Sequence, residues 1–464
     1  MSPVLQRISV RSVTLVALET ALIVCAVAAA SYVRLGDNMS EVMVYDNGVA
    51  KTLLVALVAQ LCLYYADLYD LRKVADRGEL FGRIMQALAY TSFLLAVVYF
   101  WFPALIIGRG VFILAACFVL IAVVGWRVVF EWLSHSVGPK ERLLLVGTNP
   151  AALALAREIF ERRADLGVDI VGFVDTDPSR VGERLINPGI IGTIDDIPTV
   201  VSTHSVDRVV VSLSDARGKL PMEKLLDMKL AGVSFDHLAS VYEEYTGKIA
   251  IENLRPSWLI FSTGFRKNRV TAGVKRSIDV ALAAVGLVLG APIMLLVAIA
   301  VRLTSDGPVL YHQERVGLHG KPFTIHKFRT MRQDAEALTG PVWASKDGDP
   351  RVTPIGKFLR KSRLDELPQL WNVLAGEMAF VGPRPERPQF VQQLTGEIPY
   401  YGQRHVIRPG LTGWAQIRYS YGASKEDALE KLQYELYYIK NLSLALDFLI
   451  ILSTLKTIVL RRGT

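Results

Sequence analysis

Two adjacent carboxylates, Asp365 and Glu366, stand in the stretch LDELPQL, directly after a run of cations and just before a proline. Proline is tolerated only in the first turn of a helix, so Pro368 and the apolar segment 367–374 predict a helix that begins near Asp365. A carboxylate that stays ionised and shares a divalent cation with its neighbour can act as a nucleophile at phosphorus. This pair of residues could therefore transfer a phosphoryl group.

The cations Arg360, Lys361 and Arg363 come shortly before the acidic pair. Together with the positive end of the predicted helix, they favour the ionised form of Asp365. The same spacing also fits a purely structural arrangement, in which Asp365 caps the helix and Glu366 pairs with an arginine. The spacing alone does not decide between these two interpretations.

Three more motifs rich in cations and glycine lie in the same module, between residues 311 and 438. They are HQERVGLHGKPFTIHKFRTM (312–331), VGPRPERP (381–388) and RPGLTGWAQ (408–416). Guanidinium groups bind phosphate oxygens in a bidentate manner, so this many arginines favour a phosphate-bearing ligand. A solvated basic face against lipid headgroups would explain the charge but not the acidic pair within it.

The composition indicates membrane segments joined to soluble parts. Hydrophobic residues make up 51% of the 464 residues and charged residues 21%, and the length predicts two or three domains. The net charge of +8 suits an anionic partner such as a phospholipid headgroup, a nucleotide or a nucleic acid. The three cysteines, Cys25, Cys62 and Cys117, form neither a disulfide framework nor a metal pattern.

Four apolar runs within residues 1–138 predict four transmembrane helices, since a span needs about 20 apolar residues. The runs are Val13–Val33, Leu53–Tyr65, Ile84–Ile107 and Val111–Leu133. Basic residues concentrate before the first run, between the second and third, and after the fourth: Arg7, Arg11, Arg72, Lys73, Arg77, Arg83, Lys140 and Arg142. This distribution predicts that the N-terminus and everything after the fourth run lie in the cytoplasm.

Residues 139–268 predict a Rossmann-like α/β domain. The strand candidates Arg142–Gly147, Asp169–Asp175 and Asp207–Leu213 alternate with helical segments such as Ala151–Arg163, which favours a parallel, doubly wound sheet. The turn after the first strand lacks the second glycine of a dinucleotide-binding fingerprint. Asp175 ends the second strand, where a ribose-binding acid could sit, but we expect a structural, regulatory or dimerising domain.

A fifth apolar run, Ser277–Leu303, is long enough to span a bilayer, but we predict a re-entrant helical hairpin over 275–303. Positive charge flanks both of its ends, at Lys275, Arg276, Arg302 and Arg315. Pro292 removes a helical hydrogen bond and should kink the helix sharply. A plain kinked span is the alternative, but it would place the charged module outside the cell. The last apolar run, 442–460, contains Asp447 and Lys456 and predicts a helix that lies in the membrane interface.

The charged module resembles a known family at this point. The stretches QERVGLHGKPFTIHKFRTM, LRKSRLDELPQLWNVLAGEMAFVGPRPE and RPGLTGWAQ resemble the monotopic phosphoglycosyl transferases, the bacterial sugar transferases of exopolysaccharide and O-antigen synthesis. The resemblance covers Val274–Thr464 closely. It implies a mostly α-helical monotopic catalytic domain over 269–464. Four spans and a Rossmann-like domain ahead of that domain look like the large members of the family.

The resemblance implies transfer of a sugar-1-phosphate from a UDP-sugar, glucose or galactose by preference, to undecaprenyl phosphate, with UMP released and Mg²⁺ as cofactor. Asp365 would be the nucleophile that forms a phosphosugar intermediate, and Glu366 its metal-binding partner. It also implies membrane lipid as a partner, no nucleic acid, and a homodimer as a plausible assembly. The location would be the bacterial inner membrane, with the catalytic domain on the cytoplasmic face.

The resemblance also assigns the surrounding residues. Binding of the substrate phosphates and uridine is implied for Lys327, Arg329, Arg360, Arg384, Pro385 and Glu386. Lys275, Arg276 and Asp279 match a cationic helix start where the lipid phosphate could dock, and Pro292 matches a helix break. Structural roles stay open for Arg329 and Arg384, and headgroup anchoring stays open for Lys275 and Arg276.

Two rival functions belong to other classes. A membrane-bound, NAD-dependent nucleotide-sugar dehydratase needs a Tyr-x-x-x-Lys pair, which Tyr421 and Lys425 match in sequence, although Gly422 argues against the helix that such a pair requires. It would bind NAD, whereas we predict none. A non-enzymatic membrane scaffold or sensor would leave the arginines and the acidic pair unexplained.

Overall fold

The computed structural model describes residues 10–69, 77–136, 141–161, 166–186, 188–212, 222–251, 262, 264–265, 269–333, 335, 351–419, 422 and 424–459. The chain divides into two compact units, Met1–Leu238 and Ala239–Thr464. The three-part division at residues 138 and 268 stays a prediction. Arg7, Arg72, Lys73 and Lys140, which contributed to the predicted orientation, lie outside the described residues.

Apolar helices fill the first part of the first unit. They are α1 (Val10–Leu35), α2 (Met39–Tyr45), α3 (Gly48–Tyr65), α4 (Arg77–Trp101) and α5 (Arg109–Ser136). Over the described ranges, five helices of the chain are long and apolar enough to cross a membrane, and four of these come before residue 137. The chain is therefore a membrane protein, as predicted, and the number of helices that cross the bilayer stays a prediction.

A buried ion pair joins α1 to α5, and sequence analysis did not identify it. The Arg127 guanidinium lies 2.7 Å from the Glu19 carboxylate, and both side chains are almost fully buried. Arg127 also donates to the carbonyl of Leu68, and the Tyr69 hydroxyl donates to Glu19. Buried charges in an apolar bundle need such partners, so this pair fixes the position of α1 against α5.

The second part of the first unit is a five-stranded parallel sheet in the order β3-β2-β1-β4-β5. Its strands are β1 (Glu141–Val146), β2 (Val168–Asp175), β3 (Ile190–Thr193), β4 (Arg208–Val211) and β5 (Ser234–His237), and its helices are α6 (Pro150–Glu161), α7 (Ile197–His204) and α8 (Met222–Leu230). The predicted parallel sheet is confirmed. Its central strands are runs of buried apolar residues, as expected where helices cover a parallel sheet.

The second unit is mostly helical and carries the charged module. Helix α9 (Leu238–Thr246) begins at the boundary and α10 (Arg269–Thr304) follows. Next come the hairpin β6 (Leu310–Val316) and β7 (Pro322–Phe328), then α11 (Pro354–Ser362) and α12 (Gln369–Ala375). The remaining elements are β8 (Ala379–Val381), α13 (Pro388–Glu397), β9 (Gly410–Thr412), α14 (Trp414–Arg418), α15 (Lys425–Lys440) and α16 (Leu444–Val459).

Helix α10 is one element of 36 residues that includes Pro292. The kink at Pro292 and the re-entrant path stay predictions. Both of its halves pack on the same elements of the second unit. Ala283 in the first half contacts the core around Ile325 of β7. Val297 in the second half contacts the core around Phe328, three residues further along the same strand. The rest of the helix surface is largely exposed and apolar.

Helix α16 corresponds to the predicted interfacial helix over 442–460, of which residue 460 lies outside the described part. Asp447, which made it a poor span in the sequence, faces inward. Lys275 Nζ lies 2.7 Å from its carboxylate, and the Tyr438 hydroxyl donates to it at 2.6 Å. Phe448, the next residue, is exposed. The helix therefore has one polar, packed side and one apolar, exposed side.

We expect Glu19→Gln to destabilise the helical bundle by roughly 3–5 kcal/mol, because it leaves the buried Arg127 without its counter-charge. Thermal unfolding of the purified protein in detergent measures this loss. The exposed pair of Arg180 and Glu183 provides the control, since Glu183→Gln should change little. The double variant Glu19→Leu with Arg127→Met should recover part of the loss. Equal stability of Glu19→Gln and wild type would contradict the structural role of the pair.

Candidate active site

The acidic pair lies in a tight turn between two helices. Arg363 ends α11 in a left-handed conformation, with φ of 59°, and Leu364–Glu366 then form a single 3₁₀ turn. The α-helix begins only at Gln369. Its N-cap residue is Pro368, and no side chain caps it. The predicted helix start near Asp365 is therefore wrong by one turn, and so is the interpretation of Asp365 as a cap. The reason is that Pro368 has no N–H, so the turn closes with shorter bonds such as Leu367 N–H to Leu364 O.

Glu366 is held by cations from three separate segments. Lys327 Nζ from β7 lies 3.0 Å from its Oε1, and Arg384 Nη2 lies 2.8 Å from the same oxygen. Arg363 lies 3.8 Å from the other oxygen. Burial acts to raise the pKa of Glu366, but Lys327, Arg384 and Arg363 override it and hold this pKa well below its ordinary value. Glu366 is therefore a fixed anion.

Asp365 is in the opposite situation. It is only 7% exposed, and its Oδ1 is buried without a hydrogen-bond partner. Burial, followed by the negative charge of Glu366, raises the pKa of Asp365 to about 6, although Lys327, Arg360 and Arg363 act against this shift. Counting cations along the sequence predicted the opposite direction, because the sequence does not show burial. At neutral pH Asp365 is still mostly ionised, and it is more basic than an exposed aspartate.

Two of the predicted phosphate-binding arginines have partners near the end of β7. Arg329 directly follows the strand, and Arg360 belongs to α11. Arg360 Nε donates to the hydroxyl of Thr330 at 3.0 Å. Gly356 makes this contact possible, because a side chain there would collide with the Thr330 carbonyl. Arg329 Nη2 donates to the carbonyl and hydroxyl of Ser305, whereas its buried Nε and Nη1 have no hydrogen-bond partner. Binding of a substrate phosphate by Arg329 stays a prediction.

A second ion pair supports the loop that carries Arg384. The buried Arg404 forms a bidentate pair with Glu435 of α15, at 2.8 and 2.7 Å, and also donates to the carbonyl of Arg384. Arg315 donates to the carbonyl of Pro385 at 3.1 Å. Its guanidinium also lies 3.5 Å from the carboxylate of Glu386. The loop is therefore fixed from two sides. Sequence analysis missed Arg404 and Glu435, because no spacing links residues 31 positions apart.

The predicted lipid-phosphate residues all have partners inside the protein. Lys275 pairs with Asp447 of α16. Arg276 donates to the carbonyls of Val373 and Leu374 at the end of α12, and Asp279 accepts from the backbone N–H of Phe380. Each of these contacts ties α10 to another element of the second unit. Binding of a lipid phosphate by these residues stays a prediction.

The acidic pair fits a magnesium ion. Mg²⁺ takes oxygen ligands and is commonly held by one or two carboxylates together with substrate phosphates and water. Asp365 offers a buried oxygen without a partner, and Glu366 stands next to it. Among the described residues no group of three or more metal-binding side chains is gathered in one place. The ion would therefore be held chiefly by Asp365 and the substrate.

The positions that a dinucleotide enzyme would use are engaged elsewhere. Asp175 at the end of β2 accepts from the hydroxyl of Thr148, and the Arg180 guanidinium lies 2.9 Å from its carboxylate. Lys425 is the first residue of α15 and pairs with Glu397 at 3.3 Å. Tyr421 lies outside the described residues. The tyrosine and the lysine therefore do not share the helix that begins at Lys425.

Comparison with known proteins identifies the family of the part of the chain that contains this site. The family model described as bacterial sugar transferase matches residues 270–461, which contain the acidic pair and its cations. A model described as CoA-binding domain matches residues 65–220. The chain belongs to the bacterial sugar transferase family.

Three curated relatives show what this chain is similar to. An Aeromonas hydrophila UDP-N-acetylgalactosamine-undecaprenyl-phosphate N-acetylgalactosaminephosphotransferase is 42% identical over 54% of this chain and 59% of its own length. UDP-glucose:undecaprenyl-phosphate glucose-1-phosphate transferases from Xanthomonas campestris pv. campestris and Escherichia coli K12 are each 33% identical. They match 68% and 71% of this chain, and 66% and 70% of their own lengths. The similarity thus spans between 59% and 70% of the lengths of these relatives.

The acid limb of the pH profile should report Asp365. We expect kcat/KM to fall as the pH drops below about 6, because protonation neutralises Asp365, the carboxylate predicted to be the nucleophile. Glu366→Gln removes a neighbouring negative charge and should move this limb to lower pH, whereas Lys327→Met removes a cation and should move it to higher pH. Initial rates between pH 4.5 and 9 measure both shifts. Movement of both variants in the same direction would contradict this electrostatic account.

Glu435→Gln should misplace Arg384 without touching the substrate. We expect kcat/KM to fall by roughly 10- to 100-fold, since small displacements of a binding group are costly, and Glu435→Asp should restore part of it. Steady-state kinetics at a temperature well below the unfolding midpoint measures the effect apart from stability. Glu397→Gln, which breaks an exposed ion pair, is the control. If Glu435→Gln loses stability but keeps kcat and KM, the pair has no positioning role.

Proposed function

We propose that this protein transfers a sugar-1-phosphate from a UDP-sugar to undecaprenyl phosphate and releases UMP. The observation that carries the proposal is the contrast within the acidic pair. Glu366 is bound by cations, and Asp365, its neighbour, has a buried oxygen with no partner. A basic, unpaired carboxylate surrounded by guanidinium groups suits attack on a phosphate diester.

The proposed reaction proceeds in two displacements at one phosphorus atom. A carboxylate oxygen of Asp365 bonds to the sugar-bearing phosphorus, and the bond from that phosphorus to the bridging oxygen breaks, so UMP leaves with this oxygen. An oxygen of undecaprenyl phosphate then attacks the same phosphorus, and Asp365 is released. Lys327, Arg384 and Arg329 would offset the negative charge on the phosphoryl oxygens. Mg²⁺ bound at the acidic pair would neutralise diphosphate charge and stabilise the leaving UMP.

The packing of α10 supports a catalytic unit that rests on one face of the membrane. Ala283 and Val297, from opposite halves of the helix, contact neighbouring residues of one strand. The predicted bend at Pro292 would let both halves lie against the catalytic domain and would let the helix enter and leave the same leaflet. Phe358 of α11 and Trp371 of α12 are exposed beside it. This arrangement supports the predicted re-entrant helix and a catalytic domain on the cytoplasmic face.

The donor sugar is proposed from the relatives. The names of the three compared proteins specify glucose or N-acetylgalactosamine, and the protein with the highest identity among them takes the latter. We therefore add UDP-N-acetylgalactosamine to UDP-glucose and UDP-galactose as the donors to test first. The dehydratase alternative is not favoured, because the match of 270–461 is to sugar transferases.

Asp365→Asn should abolish UMP release from every donor, at least about a thousandfold, because the amide cannot form the phosphosugar intermediate. A UMP-release assay with undecaprenyl phosphate, Mg²⁺ and a panel of UDP-sugars measures this. A donor labelled with ³²P at the sugar-bearing phosphorus should label the wild-type chain when the acceptor is omitted. Glu397→Gln is the matched control and should remain active. If wild type yields no UMP from any donor, the proposed function is wrong; if Asp365→Asn stays active, the assigned nucleophile is wrong.

A further inference from the structure

The β6–β7 hairpin carries two histidines that the proposed transfer reaction does not use. His312 and His326 stand directly opposite each other in the antiparallel pairing. Their Nδ1 atoms are 2.8 Å apart, and the rings meet edge to face with centroids 4.9 Å apart. The two side chains therefore present two ring nitrogens to one point beside the strands.

Two facing Nδ1 atoms can share either a proton or a metal ion. A neutral imidazole has one donor nitrogen and one acceptor nitrogen, so a direct hydrogen bond requires the two rings to adopt opposite tautomers at Nδ1. If both Nδ1 atoms carried protons, neither could accept a hydrogen bond from the other. A metal ion uses both lone pairs at once, and neutral imidazole is the commonest metal ligand in proteins.

The separation of the two nitrogens suits a transition-metal ion. With metal–nitrogen bonds of about 2.05 Å, nitrogens 2.8 Å apart form an angle of roughly 90° at the metal. This is the angle between adjacent ligands in octahedral or square-planar sites of Ni²⁺ and Cu²⁺. A tetrahedral Zn²⁺ site would need the nitrogens to move apart to about 3.3 Å. Mg²⁺ prefers oxygen ligands, so this pair would not compete for the ion at Asp365.

The surroundings of the two histidines differ: the backbone of His326 is held in place, and His312 is accessible to solvent. The backbone N–H of His326 donates to the side chain of Asn372 at 3.2 Å, and Asn372 is fully buried and also donates to the carbonyl of Thr324. Strand β7 is thereby held against α12 at Thr324 and at His326. His312 is exposed to solvent. Since the described residues contain no third His, Cys, Asp or Glu within reach, water would fill the other ligand positions.

We propose that His312 and His326 form a binding site for one divalent transition-metal ion of the Ni²⁺, Cu²⁺ and Zn²⁺ group. The site is separate from the acidic pair and does not depend on the proposed function. Lys327, which follows His326 in β7, is one of the cations that hold Glu366. An ion bound across the hairpin would therefore stiffen the strand that supplies this cation to the acidic pair.

Calorimetric titration with Ni²⁺ tests the site. The full-length protein is used without a polyhistidine tag, after treatment with a chelator, in detergent with excess Mg²⁺. We expect one Ni²⁺ per chain and binding at least about tenfold weaker in His312→Gln, because one of only two protein ligands is lost. His319, an exposed histidine in the hairpin turn with φ of 56°, is the matched control. Its replacement by Asn, which tolerates this conformation, should leave Ni²⁺ binding unchanged.

Thermal unfolding gives a second, independent measurement. Ni²⁺ should raise the unfolding temperature of wild type and His319→Asn but not that of His312→Gln, since only a bound ion stabilises the folded state. His312 is exposed, so its replacement should not impair folding, and the half-buried His326→Gln serves as a second variant. Equal Ni²⁺ affinity in wild type and His312→Gln, or no Ni²⁺ bound to wild type, would mean that the two histidines share only a proton, and would overturn the proposal.

Discussion

One carboxylate oxygen of Glu366 accepts hydrogen bonds from two cations, Lys327 of the hairpin and Arg384 of the loop after β8. These contacts distinguish Glu366 from its neighbour Asp365, whose pKa shifts in the opposite direction. The anion of Glu366 is stabilised and committed, and its negative field falls on Asp365, which burial already makes basic. The charge pattern thus generates an unpaired carboxylate in a region rich in positive charge. Without the contacts of Lys327 and Arg384 to Glu366, both acids would compete for the same cations and for any bound metal.

The surrounding elements can be understood as supports for that contact. Arg404 and Glu435 form a buried, bidentate pair that holds the backbone of the Arg384 loop. Arg276 fixes the end of the short helix that follows the acidic turn, by binding two of its last carbonyls. Buried ion pairs contribute little net stability, but each fixes a geometry, because breaking one leaves an unpaired charge. The catalytic unit therefore uses its buried charges to position groups.

Much of this architecture is predictable because it depends on local patterns. Apolar runs predict the N-terminal helices, alternating strands and helices predict the parallel sheet, and the long motifs predict the location of the acidic pair. What the sequence could not supply comes from contacts between distant residues. The Glu19–Arg127 pair joins two helices across more than a hundred positions. The direction of the pKa shift of Asp365 depended on burial, which no count of neighbouring charges contains.

A local rule also misled at Pro368. This proline was expected inside the first turn of a helix near Asp365, but its missing N–H delays the α-helix and leaves the acids in a 3₁₀ turn. The kink expected at Pro292 stays a prediction, because α10 includes this residue within one element of 36 residues.

If α10 enters and leaves through one leaflet, as proposed, the distance between its ends does not have to follow the thickness of the bilayer. A true span must tilt, or the lipid must deform, whenever its apolar length and the hydrocarbon thickness differ. A helix that enters and leaves through one leaflet has no such length to match. The height of Asp365 above the lipid would then be set by how deeply α10 sinks. The acidic pair would keep the same relation to the headgroups in thin and thick membranes alike.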